Sequence, residues 1–72
     1  MKNFIVEDRK AGEVVLEGKI SEGGGIIVTS TAESLSEVQT QGIVSQISKE
    51  VAAGKTRGRV SPGDLDWLQV VS

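Results

Sequence analysis

Three short runs of β-branched and apolar residues open the chain, and the connections between them are too short for a crossover. Phe4-Ile5-Val6, Val14-Val15-Leu16 and Ile26-Ile27-Val28 read as strands, each bounded by polar or glycine-bearing punctuation. Asp8-Arg9-Lys10-Ala11-Gly12 separates the first two, and Ser21-Glu22-Gly23-Gly24-Gly25 separates the second from the third. Parallel neighbours need a connection of about a dozen residues or more, so these strands form an antiparallel meander.

The periodicity then changes. Ser30-Thr31-Ala32-Glu33 matches a capping box, in which a hydroxyl satisfies one free helix N–H and a glutamate reaches back to another, and it predicts a helix start. Leu35, Val38, Val44, Ile47 and Val51 follow at mostly three- or four-residue spacing and form the expected buried stripe, with Glu37, Gln39, Gln41, Gln46 and Glu50 between them. Gly42 inside this pattern costs about 1 kcal/mol relative to Ala and marks a candidate interruption. Ala52-Ala53-Gly54 supplies the stop, with Lys55 near the negative end of the helix dipole.

Beyond a basic loop at 55–59, Ser61-Pro62-Gly63-Asp64 suits a type II turn. The same residues would also serve as the cap and first turn of a short helix. Extension is favoured by Gln69-Val70-Val71 and by the alternation of Leu65, Trp67 and Val71. The fold expected is α+β over residues 1–72 as one small domain: a three-stranded antiparallel meander, one amphipathic helix, and a short C-terminal strand, with a short helix as the alternative for residues 62–71.

With 72 residues, a chain sits near the size at which apolar burial barely outweighs chain entropy. The chain contains no Cys and no His, which removes disulfides and nearly all structural metal sites as stabilisers. Self-association or a protein partner is left, so a homo-oligomer is one expectation. A formal charge of −2 offers no general attraction to nucleic acid or anionic lipid. Phe4-Ile5-Val6, cut off by Glu7-Asp8-Arg9-Lys10, is too short for a signal core or a membrane span, so no membrane association and a cytoplasmic location are expected.

Catalytic chemistry is poorly supplied. Cys, His and Tyr are all missing, and with them the usual thiol nucleophile, imidazole base and phenolic acid. Asp64 with Asp66 and Glu7 with Asp8 are close carboxylate pairs of the kind found solvated on turns, and no spacing resembles a calcium loop. Gly54-Lys55-Thr56 imitates the end of a P-loop, but Lys49 stands where its first glycine belongs and the segment follows a helix. The three glycines at 23–25 and the hydroxyls of Ser30 and Thr31 are explained by a hairpin tip and a helix cap. No catalytic residue, metal site or cofactor is expected.

Two features remain as candidate binding determinants. Lys55, Arg57 and Arg59 gather three positive charges without an intervening acid, after a stretch from Glu13 to Ser48 that is acidic, and they suit either a helix C-terminus or an anionic partner. Trp67 carries binding energy if exposed and anchors the core if buried. The function expected is a non-enzymatic protein-interaction module, a small regulator or inhibitor of a larger protein machine of the kind often encoded by phages. The alternative is binding of nucleic acid or a small phosphorylated ligand through residues 55–59, disfavoured by the acidic balance and by an aromatic inventory of only Phe4 and Trp67.

Overall fold

The structure is a computed structural model that describes residues 2–61 and 64–70. Strands β1 (Lys2–Asp8), β2 (Glu13–Ile20) and β3 (Ile26–Thr31) are followed by helix α1 (Glu37–Ala52) and by strands β4 (Arg57–Val60) and β5 (Leu65–Val70). All five strands form one antiparallel sheet in the order β3-β2-β1-β5-β4. The fold is α+β, and the first strand of the chain lies at the centre of the sheet. The expected meander is present as one half of that sheet, while the expected basic loop is in part a fifth strand, β4. Its Arg57-Gly58-Arg59-Val60 sequence has one large apolar residue, so its extension comes from pairing with β5 rather than from local propensity.

The other corrections concern the helix. Thr31 still belongs to β3, and the N-cap is Ser36, whose hydroxyl accepts from the Gln39 N–H (3.1 Å) while the Gln39 side chain accepts from the Ser36 N–H (2.9 Å). Ser30-Thr31-Ala32-Glu33 and Ser36-Glu37-Val38-Gln39 are equivalent capping signals. The second is used because Ser30 and Thr31 are held opposite Glu17 and Leu16 in the sheet. The helix runs without interruption through Gly42, and its fully buried residues are Ile43 and Ile47. At about 100° per residue Val38 lies roughly 140° around the axis from Ile43, which places it 79% exposed instead of in the stripe. The helix ends where expected, with Gly54 left-handed at φ +79° and donating to Val51 O.

Residues 65–70 are strand, not helix. Pro62, Gly63 and Val71, invoked for the turn and for the alternating face, lie outside the described residues. Sixteen helical residues span about 24 Å, enough to carry the chain past the roughly 19 Å of four strand spacings from the β3 edge to the β4 edge. No helix among the described residues is long and apolar enough to cross a membrane.

α1 covers one face of the sheet. Beneath it lie Phe4, Val6, Leu16, Ile20, Val60, Leu65 and Trp67, with Ile43 and Ile47 above. Val15 joins this core although it is adjacent to Leu16, because a bulge leaves it without a partner in β1: Val6 pairs with Leu16 and Glu7 with Val14. Gly18 is required by close approach. A Cβ there would meet the Phe4 ring at 2.6 Å and the carbonyl oxygen of Ile27, since the ring lies across its cross-strand partner.

Candidate functional site

The four residues singled out from sequence do not form one site. Trp67 has no exposed surface and pairs with Val6 on one side and Gly58 on the other, so it anchors the core beneath α1. Its indole N–H has no hydrogen-bond acceptor among the described residues. Gly58 is what lets the indole in: a Cβ at that position would stand 3.0 Å from Trp67 Nε1 and 3.5 Å from the Glu50 carboxylate.

The basic stretch is divided by strand geometry. Lys55 belongs to the helix terminus, where its backbone N–H donates to Glu50 O (3.0 Å) and its ammonium pairs with Glu50 Oε2 (3.1 Å). Arg57 and Arg59 alternate with Gly58 and Val60, and therefore point to the face of the sheet opposite α1. Both are exposed, and neither forms an ion pair among the described residues.

Among the described residues no layer covers that second face, and the strand registers define rows across it. Ser30, Glu17, Ile5, Leu68 and Arg57 make one row, and Glu7, Asp66 and Arg59 another. Ile5 and Leu68 are half-buried by their neighbours and form an apolar centre, with Glu17 on one flank and Arg57 on the other. At the β4 end, Arg9, Arg57 and Arg59 surround a shallow groove together with Glu7, Asp66 and Leu68. Arg9 is brought there by its backbone N–H donating to Asp64 O (2.8 Å), and its Nε pairs with Asp66 Oδ2 at 3.3 Å.

Sequence reasoning missed Arg9, Glu7, Ile5 and Leu68 as members of this surface. The signal available for Ile5 was its alternation with Phe4 and Val6, which puts it on the opposite face of the strand. Nothing local could have brought Arg9 to Asp66, because that contact depends on β1 pairing with β5. Among the described residues no three acidic side chains cluster as a metal site would require.

No protein-family model, curated protein or solved structure matches this chain.

Proposed function

We propose that this protein is a non-enzymatic interaction module that docks the open face of its sheet on a larger protein and thereby regulates or inhibits it. The observation that supports this reading is the make-up of that face: an Ile5–Leu68 apolar centre, with Glu17 and Lys19 toward β3 and Arg57 and Arg59 toward β4. An apolar centre with a charged rim is the anatomy of a protein–protein interface. Arg57 and Arg59 are free to engage carboxylates, and arginine does so bidentately. Glu7 and Asp66 in the same groove oppose a polyanion, which favours a protein of mixed charge over nucleic acid or a phosphorylated ligand. The inventory without Cys, His or Tyr supports binding rather than catalysis.

Affinity capture with the tagged protein, in the presence and absence of nuclease, tests the reading when the captured protein is then purified and titrated. A stoichiometric complex is expected to survive nuclease. It should weaken at least tenfold in the Arg57→Glu/Arg59→Glu variant, whose stability should stay within about 0.5 kcal/mol of the parent because both side chains are exposed. Recovery of nucleic acid that disappears with nuclease or in this variant would replace the reading with the anion-binding one.

A further inference from the structure

We infer that β3 pairs antiparallel with β3 of a second copy of this chain, about a two-fold axis at Ile27, joining two sheets edge to edge. The inference is independent of the docking face proposed above.

β3 is an edge strand, and from residue 23 to residue 32 the chain carries no charge and no proline. These are two of the devices by which sheet edges are kept from pairing. Ile27 is 45% exposed and Val28 36%, and the remaining residues to Thr31 are also open to solvent.

The backbone of this edge is available in a definite register. Ser21 donates its N–H to Gly25 O at 2.9 Å, which makes that pair a bonded one. Counting by two through the antiparallel alternation makes Lys19–Ile27 the next bonded pair, so the N–H and C=O groups of Ile26 and Val28 face away from β2. Beyond Val28 the extra residue Thr29 bulges and ends the regular edge. A two-fold at Ile27 therefore uses the regular portion: Ile26 of each copy exchanges hydrogen bonds with Val28 of the other, and the two Ile27 side chains meet.

Charge favours β3 over β4 as the edge that pairs with its own copy. Two β3 edges bring no charged side chains opposite one another. Two β4 edges would set Arg57 and Arg59 against their own copies, which is repulsive. The two-fold also keeps both helices on one face, so the α1–β3 grooves lined by Ile26, Val28 and Val44 become neighbours. A regular edge of three residues, Ile26 to Val28, is about 10 Å long and covers well under the roughly 800 Å² per partner of a standard interface, so the dimer is reversible, with a micromolar or weaker Kd. Its dependence on salt is small, because no ion pair forms.

Sedimentation equilibrium of the purified chain from low micromolar to submillimolar concentration tests this. The average mass should rise from 7.6 kDa toward twice that value and go no higher, and it should do so equally at low and high salt. Ile27→Lys should remain monomeric over the same range with an unchanged melting curve. In this cysteine-free chain, Ile27→Cys should cross-link to a dimer with oxidised glutathione, while Arg59→Cys on the opposite edge should not. A mass that stays at 7.6 kDa, growth past the dimer, association undiminished in Ile27→Lys, or equal cross-linking at both edges would each overturn the inference. The Arg57→Glu/Arg59→Glu titration reads the open face separately, so either proposal can fail alone.

Discussion

The two edges of the sheet differ in chemistry and in how they are held. β4 is four residues long, carries Arg57 and Arg59, and is clasped to the helix by Gln46. The Gln46 amide donates to Ser61 O (2.6 Å) and accepts from Ser61 N (3.0 Å), satisfying the chain just past the end of the strand. β3 is six residues long, uncharged and exposed along most of its length, and no side-chain hydrogen bond ties it to α1 among the described residues. One edge is protected by charge and fastened to the second layer, and the other is held only by its ladder to β2 and by packing. An antiparallel sheet therefore need not treat its two edges alike, and the less protected one is where pairing with another strand costs least.

The largest effect is expected at the support of the β3 edge. Gly18→Ala forces a methyl into the buried Phe4 ring and against the carbonyl of Ile27, which is paired with Lys19 in the ladder. It should destabilise the protein by about 3 kcal/mol, lowering Tm by roughly 15 °C or more in a domain of this size, as read by circular dichroism. A change of a few degrees would mean that the β2–β3 junction is far more pliable than its geometry indicates.

A smaller loss is expected at the opposite edge. Gln46→Ala removes the clasp on Ser61 and should cost about 1.5 kcal/mol, the net worth of lost hydrogen bonds at a partly exposed site. Amide hydrogen exchange gives the sharper reading: protection of β4 should fall while that of β3 is unchanged. Equal loosening of both edges would erase the distinction drawn between them.

The smallest effect belongs to the β3–α1 connection. Ser36→Ala deletes the capping hydroxyl and should cost about 1 kcal/mol, with early exchange confined to the first turn of α1. Loss spreading into β4 would show that the helix behaves as one rigid unit with both edges.

The elements legible in the sequence are those whose signals are local. β-branched runs separated by short loops announced β1, β2 and β3, and the first loop closes with Gly12 at φ +68° and the Asp8 carboxylate accepting from Lys10 N (2.9 Å), both local to the loop. Ala52-Ala53-Gly54 ended the helix because a left-handed residue was needed there. The helix start was misplaced because two equivalent capping sequences lie six residues apart, and only the pairing of Ser30 and Thr31 with β2 rules out the first. β4 was missed because Arg-Gly-Arg-Val has almost no strand signal of its own. Of the candidate site, the exposure of Arg57 and Arg59 agrees with their charge and the capture of Lys55 by Glu50 is a local contact at the end of the helix, whereas the burial of Trp67 depends on the face it takes once β5 pairs with β1 and β4.

The sequence by itself determined the class of the fold, the meander and the place where the helix stops, because propensity, turn chemistry and periodicity act over a few residues. Only the tertiary structure decided that the first strand lies at the centre, that β4 exists, and that one face of the sheet stays open. Those outcomes come from pairings between β1 and β5 and between β4 and β5, and from a helix that can cover only one side. Their energy resides in contacts between residues far apart in the chain, where a local reading of the sequence has nothing to weigh.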